Sequence, residues 1–385
     1  MSKYEELVKQ LYPDGVEYKR VSDVCDISRG QVMSKDYIKD NAGDYPVYSS
    51  QTENNGELGK INTYMYDGEY LTWTTDGANA GTVFYRTGKF SVTNVCGLLK
   101  VTTSQLLVKF LYYTLSVEAP KYVNSGMGNP KLMSNVMGKI KIPVPPIEVQ
   151  GEIVRILDNF TELTAELTAE LTARKQQYEY YRDNMLSFGD NIKKVKLSDV
   201  CKVYDGTHQT PNYTETGIKF ASVENIQMPY NTKKHISVED YQKYKIKPQI
   251  GDVLMTRIGS IGVCYVIDRP DDLAYYVSLA LLRPDETVLD SRFLKHYIES
   301  IQGAKELRKR TLVNAVPIKI NKDDIGKISI VIPPLEEQKR IVEILDRFDA
   351  LCNDITSGLP AEIEARQKQY EYYRDKLLTF KEASE

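Results

Sequence analysis

Residues 145–160, PPIEVQGEIVRILDNF, return at 333–348 as PPLEEQKRIVEILDRF, an offset of 188 that lays Gln150 on Gln338 and Asp158 on Asp346. A second echo follows: ARKQQYEYYRDNMLSF at 173–188 reappears at 365–380 as ARQKQYEYYRDKLLTF, now offset by 192. The second copy therefore holds four additional residues between Phe348 and Arg366. Two weaker echoes lie upstream. VSDVCDISRG, ending at Gly30, matches LSDVCKVYDG, ending at Gly206, and GKIKIPVPP from Gly138 matches GKISIVIPP from Gly326. A repeat this long means duplicated domains instead of a short solenoid unit. Between the markers the two copies diverge almost completely, which suggests one scaffold presenting two different surfaces.

Each strong echo opens a long helix. Pro-Pro followed by carboxylates suits a helix start, where the missing N–H is no loss and negative charge meets the positive end of the dipole. Residues then recur at spacings of three and four, a coiled-coil seam broken by successive fours at Leu163, Leu167 and Leu171 and by one further four in the second copy, with Arg174 and Arg366 filling the seam between apolar positions. In the first copy these are Ile153, Ile156, Phe160, Leu163, Leu167, Leu171, Tyr178, Tyr181 and Met185. In the second they are Ile341, Ile344, Phe348, Leu351, Ile355, Leu359, Ile363, Tyr370, Tyr373 and Leu377. Each segment predicts a helix of roughly 40 residues, about 60 Å long. Ser357, Gly358 and Pro360 predict a kink or short break in the second. Helices of this kind, each with an apolar stripe to bury, are expected to pack on each other.

The intervening segments have a different texture. YLTWTT, GTVFYR, GLLKV, DVLMTR, GVCYVI and ISIVIPP are rich in β-branched and aromatic residues and mostly bounded by Gly, Asp or Pro, which are strand signals. Helical pieces occur at SQLLVKFLYYTLS and SRFLKHYIESIQ, at the same relative place in each segment. The expected fold is α+β: two mixed α/β domains separated by two long helices packed as an antiparallel coiled coil, a pseudo-twofold internal repeat. The boundaries this predicts are 1–145, 146–188, 189–334 and 335–385.

Composition excludes several classes. A 385-residue chain with 42% hydrophobic and 27% charged residues is of ordinary globular type. It has no run apolar enough to span a membrane and no signal-like opening, so a cytoplasmic protein is expected. The five cysteines stand singly, without metal or disulfide spacing, and are expected to be reduced and buried. The net charge of −3 hides an uneven distribution. The long segments hold the excess acid, and the globular segments carry basic clusters such as Lys193, Lys194 and Lys196 or Arg308, Lys309 and Arg310. Such local faces can grip phosphates on a chain that is acidic overall.

Catalytic patterns are missing. Gly126-Met127-Gly128 lacks the third glycine of a dinucleotide loop, and no Gly-Lys pair sits in a P-loop. Asn129-Pro130-Lys131 lacks the second proline and the aromatic ring of an adenine-methyltransferase loop. His208, His235 and His296 have no metal-type spacing, and no nucleophile elbow is present.

Two divergent globular segments alternating with near-identical helices that carry IPPLEEQ, RIVEILD and the YEYYRD tail resemble the specificity subunit of type I restriction-modification systems. The run TELTAELTAELTA at 161–173 is similar to the four-residue spacer repeats in one branch of that family. GTHQTP at 206–211 and GDVLMTRIGSIG at 251–262 also look like segments recurrent in the family's recognition domains. The resemblance implies a non-catalytic protein in which each globular domain is a target-recognition domain for one half of a bipartite site on double-stranded DNA. It implies that the helices hold the two readers apart and dock two methyltransferase subunits, to which restriction and translocase subunits can add. No cofactor is expected on this chain, since S-adenosylmethionine and ATP would belong to those partners. A rival enzyme would be a stand-alone nuclease or methyltransferase with an unrecognised site. A rival structural protein would be a coiled-coil adaptor.

The spacer repeat allows a physical check. Four residues lengthen a helix by about 6 Å and turn its far end by about 40° beyond a full turn. One base pair turns B-DNA by about 34 to 36°. The rotation matches, so each Thr-Ala-Glu-Leu unit is expected to correspond to about one base pair of spacer.

Readout requires side chains that match base edges, with hydroxyl and backbone groups on phosphates. The candidate readers in the first domain are Ser49, Ser50, Gln51, Thr52 and Asn54, then Thr74, Thr75, Asp76 and Asn79, then Asn129 and Lys131. In the second they are Thr207, His208 and Gln209, Arg257 and Ser260, and Arg308, Lys309, Arg310 and Asn314. Trp73 is a candidate core residue. Tyr178, Tyr181, Tyr370 and Tyr373 are read as helix seam and partner contact.

Overall fold

The computed structural model describes residues 6–7, 11, 14–124, 126–189, 192–209, 211–354 and 357–383. These divide into two compact units: unit 1 comprises Met1–Glu166 and Ile363–Glu385, and unit 2 comprises Leu167–Glu362.

In unit 1 the strands are β1 (Tyr18–Arg20), β2 (Cys25–Arg29), β3 (Ala42–Tyr48), β4 (Glu57–Ile61), β5 (Tyr66–Thr74), β6 (Val83–Val92), β7 (Cys96–Val101) and β8 (Lys141–Pro143). Six form one sheet in the order β2-β7-β5-β6-β3-β4, and β1 pairs with β8. Strand β5 sits inside this sheet with both edges paired, and both of its faces are also covered. Leu71 and Trp73 point into one apolar core, while Thr72 and Thr74, alternating with them, are buried on the other side. Trp73 is fully buried and its indole N–H donates to the Leu132 carbonyl at 2.9 Å. Helix α1 (Val108–Glu118) covers the Trp73 face through Phe110, Leu111 and Leu115.

Unit 2 carries β9 (Lys194–Lys196), β10 (Cys201–Asp205), β11 (Tyr213–Thr214), β12 (Ile218–Ala221), β13 (His235–Ile236), β14 (Val253–Thr256), β15 (Cys264–Val266), β16 (Leu273–Tyr275), β17 (Leu279–Pro284) and β18 (Ser329–Val331). Its sheets run β10-β17-β14-β15 and β11-β13-β12-β16, with β18 paired to β9. The first order repeats β2-β7-β5-β6 of unit 1 strand for strand. In both units, too, a strand from the middle of the domain pairs in parallel near the end of the same path: β3 with β6, and β12 with β16. Helices α3 (Ser291–Glu299) and α4 (Ile301–Arg308) follow β17. The six runs read as strands each contain one, and both helical pieces are helices.

The first long segment is one helix, α2 (Ile147–Met185, 39 residues). The second is two helices of 19 residues each, α5 (Leu335–Asn353) and α6 (Leu359–Leu377), interrupted beside Gly358 as the Ser-Gly-Pro signal predicts. A side chain at Gly358 would lie 2.6 Å from the Ala350 carbonyl, so the turn there admits only glycine without rearrangement. Ile355 lies outside the described residues. All five cysteines are buried and free.

Each unit joins its head to a long helix through the same buried glutamine. The Gln150 amide donates to the carbonyls of Gln105 and Pro145, both at 2.7 Å, and its Oε1 accepts from Leu107 N, at the N-cap of α1. Gln338 donates to the carbonyls of Val288 and Pro333, at 2.9 and 2.8 Å, and accepts from Asp290 N, at the N-cap of α3. Every polar atom of both amides that faces the interior has a partner, which is how a fully buried glutamine is tolerated. Asp158 accepts from Lys109 Nζ at 2.6 Å and Tyr113 OH at 2.7 Å, and Asp346 meets Arg292 at 2.9 Å and His296 Nε2 at 2.7 Å. In each case the partners lie four residues apart, on one face of the head helix.

The seam residues divide between two surfaces. Ile153 and Ile341 are buried in the head cores with Leu157 and Leu345, which the periodicity reading passed over. Phe160 stacks on Tyr373 within unit 1, ring centroids 5.5 Å apart, and Tyr181 stacks on Phe348 within unit 2 at 5.6 Å. Ile156, Tyr370, Leu171 and Tyr178 pack against the same cores, and Tyr178 OH also meets His296 Nδ1 at 3.1 Å. Ile344 and Leu167 are half-buried, whereas Leu163 and Leu351 are exposed. The helices thus need two apolar faces near each head, one more than a single stripe provides.

Candidate nucleic-acid interface

Three chain segments meet in unit 1, and three corresponding ones meet in unit 2. The first leaves β2 or β10 at Gly30 or Gly206. A Cβ there would stand 1.7 Å from the Val92 carbonyl oxygen or 2.4 Å from that of Tyr276, so the echoed glycine marks a place where two backbones nearly touch. Just beyond, Gln31 bridges Thr93 and Thr207 bridges Tyr276, both in parallel.

The second segment is a glycine hairpin, residues 74–82 in unit 1 and 256–263 in unit 2. Thr74 and Thr256 close it identically. Gly81 N and Gly262 N donate to their carbonyls at 2.9 Å, and Thr82 N and Val263 N donate to their hydroxyls at 3.0 Å. Gly77 and Gly259 at the tips have φ of +93° and +77°, conformations that favour glycine.

The third segment crosses beside the hairpin. Lys131 bridges both Asp76 and Asn124, and Lys319 bridges both Ile258 and Leu312. Leu132 N donates to the Thr75 carbonyl at 2.9 Å and Ile320 N to the Arg257 carbonyl at 3.0 Å, with Leu132 and Ile320 fully buried beneath.

This frame brings the unit 1 candidates together. Thr75 N donates to Ser50 Oγ at 3.0 Å, Asn79 Nδ2 donates to Thr52 Oγ1 at 2.9 Å, and Thr93 Oγ1 donates to Ser49 Oγ at 3.2 Å. Ser50 and Thr75 both donate to the Val95 carbonyl. Gln51 ties its own loop to the Glu57 carbonyl at 2.6 Å, while Asn54 and Asn55 adopt left-handed φ of 48° and 53°. Beneath them the Arg86 guanidinium, 2% exposed, lies 3.6 Å from the Tyr48 ring centre and donates to the Asn55 carbonyl. Asn54, Asn79, Asn129 and Lys131 are exposed, Asp76 is half-buried, and Thr74 and Thr75 are buried.

In unit 2, Arg257 is buried. Its guanidinium donates to the carbonyls of Val277 and Ile320 and pairs with Asp205 at 3.3 Å, so it ties the three segments to one another. His208 stands 3.7 Å from the same Asp205, Thr207 and Gln209 bond each other, and Ser260 is exposed at the hairpin tip. Of the basic run, Lys309 and Arg310 both pair with Glu306 of α4, and Arg308 and Asn314 are exposed. Burial raises the Glu306 carboxyl, yet its bonds to Lys309 and Ser329 N hold it below the ordinary range. Lys319 and Ser278, whose carbonyl accepts from Arg257 N at 2.9 Å, belong to this cluster, and residue-type reasoning missed them. Carrying the offset of 188 upstream from Gly138 would have reached Lys131 and Lys319.

The chemistry available here is hydrogen bonding and positive charge. Among the described residues no group of His, Cys, Asp and Glu could hold a metal ion. A groove of about 2040 Å³ in unit 2 includes Lys295, Glu299 and Asp349 in its lining, but these neutralise one another. Lys295 pairs with Asp349 at 2.9 Å and Glu299 at 3.2 Å. No helix among the described residues is long and apolar enough to cross a membrane.

Residues 13–174 and 189–365 each match the family model for the type I restriction modification DNA specificity domain. A type I specificity subunit of Mycoplasma pneumoniae is 34% identical over 369 residues, covering 93% of this chain and 96% of that protein. A type I restriction enzyme specificity subunit of Haemophilus influenzae is 32% identical over 392 residues, covering 97% and 98%. Among solved structures, a type I restriction-modification S subunit from M. genitalium superposes with a TM-score of 0.62 over 98% of this chain and 99% of that one. Its sequence identity is 13%, a likeness of fold.

Proposed function

This chain belongs to the type I restriction-modification DNA specificity family, and on that premise we propose that each unit reads one half of a bipartite site. The chain is a DNA sequence-specificity subunit and is not itself an enzyme. The observation that carries the two-reader assignment is the repeated loop frame: one strand order and one set of backbone bonds, built twice, with different side chains at its edge. Exposed Asn54, Asn79 and Asn129 in unit 1, and His208, Gln209 and Ser260 in unit 2, are suited to base edges. Buried Thr74, Thr75 and Arg257 act through the loops they hold.

In this reading the long helices pack as an antiparallel coiled coil with pseudo-twofold symmetry, and two methyltransferase subunits dock along them. Restriction and translocase subunits join that assembly, which works in the cytoplasm. S-adenosylmethionine and ATP bind to those partners. The equivalent ring pairs Phe160–Tyr373 and Tyr181–Phe348 support the symmetric packing.

Mapping methylated adenines across a host genome with and without this chain tests the proposal. Loss of methylation at one bipartite motif is the expected result, and an unchanged methylome overturns it. Deleting Thr164–Leu167, one spacer unit of α2, is expected to shorten the methylated spacer by about one base pair. An unchanged spacer refutes the ruler.

A further inference from the structure

The two units share little at their surfaces, yet a lysine occupies the same position in both. Lys131 and Lys319 stand at the offset of 188 that relates the flanking echoes. Each is the central member of a double bridge, between Asp76 and Asn124 or between Ile258 and Leu312. The residue before each supplies the carbonyl that accepts the hairpin glycine: Gly77 N donates to Pro130 O at 3.0 Å, and Gly259 N to Ile318 O at 2.9 Å. The residue after each is a fully buried aliphatic. Backbone and core therefore hold the two Cα atoms firmly, while both ammonium groups extend from exposed positions and, among the described residues, neither is in an ion pair. The flanking residues differ, Asn129-Pro130 in one unit and Pro317-Ile318 in the other.

We infer that Lys131 and Lys319 are matching phosphate anchors, which set each reading surface in the same register on the DNA backbone and carry no sequence information. The inference rests on the two-reader assignment above. Two heads that read different half-sites gain little from one residue type at one position for telling bases apart. They can use it to grip phosphates, which are the same in every sequence. Lysine suits that role, since its ammonium is a compact point charge without the planar fork that pairs with a base edge. The neighbouring exposed residues on the hairpin tip and the loop, which differ between units, are left to discriminate.

The test uses the full chain assembled with its methyltransferase subunits, on a duplex carrying the mapped motif and on one of scrambled sequence. Lys131→Gln and Lys319→Gln are each expected to weaken binding to both duplexes by about fivefold at ~0.15 M salt and to flatten the salt dependence by about 0.9 in log–log slope. The double variant flattens it by about twice that, arginine at either position restores it, and the methylated motif stays the same throughout. A changed motif in either variant, or a parental slope in both while the wild type remains site-selective, overturns the anchor assignment alone. A wild-type assembly that binds both duplexes equally overturns the two-reader assignment together with it.

Discussion

Head 1 runs β6 as a single ten-residue strand, whereas head 2 breaks the same path after Val266 and resumes at Leu273 in a different sheet. Near the helices the two heads agree almost atom for atom: Gln150 and Gln338 bond equivalent groups, and Asp158 and Asp346 grip equivalent turns. The contrast locates where the chain is constrained. The docking ends must fit helices that are nearly identical, so their polar contacts repeat. The outer ends differ in sequence, and only the backbone frame survives there.

The equivalence can be broken most forcefully at the glutamines. Gln150→Leu or Gln338→Leu strands two buried carbonyls and one N–H, and each is expected to destabilise its own unit by about 3 kcal/mol. Urea unfolding followed unit by unit, by hydrogen exchange, measures both. Effects differing by more than about twofold would show that the junctions are not equivalent. Asp158→Asn and Asp346→Asn are expected to cost less, about 1.5 kcal/mol each, because both carboxylates keep some contact with water.

Acid sharpens the comparison. Burial pushes the Asp346 carboxyl up, but His296 and Arg292 bring it below the ordinary aspartate range, and Lys295 does the same for half-buried Asp349. A carboxylate depressed in the folded state contributes stability above its unfolded value and loses it as the pH falls through the folded one. Unit 2 should therefore weaken as the pH drops from about 5 through the aspartate range, and His296→Tyr should reduce that slope. Unfolding midpoints measured at several acid pH values decide this; a flat profile for unit 2 contradicts it. The smallest effect is expected at the stacked rings, where Phe160→Leu and Phe348→Leu each remove about 1 kcal/mol of aromatic contact. Matching losses in thermal unfolding support the symmetric packing, and unequal ones count against it.

Much of the framework was legible because it is written twice. The echoes at Pro145 and Pro333 marked both helix starts, and Ser357-Gly358-Pro360 marked the break. The reading surface was less legible because its two copies share hydrogen bonds and not residues. Thr75 and Arg257 occupy one place, each offering a carbonyl to the crossing segment, and nothing in their side chains reveals it. Residue type named Arg257 a candidate reader but could not reveal that its guanidinium meets Asp205 and two carbonyls. The second apolar face at Leu157 and Leu345 was hidden by the stronger heptad pattern beside it.

Leu377 and Phe380 are buried in the unit 1 core, and beyond them Val16 N donates to the Lys381 carbonyl at 2.9 Å while Ala383 N donates to the Val16 carbonyl at 3.0 Å. During synthesis the ribosome delivers these residues after everything that unit 2 contains. The domain translated first must therefore wait, its core still lacking a wall, until the domain translated second has emerged in full. A message that ended between Glu362 and Leu377 would release a protein whose later domain is sound and whose earlier domain is unfinished.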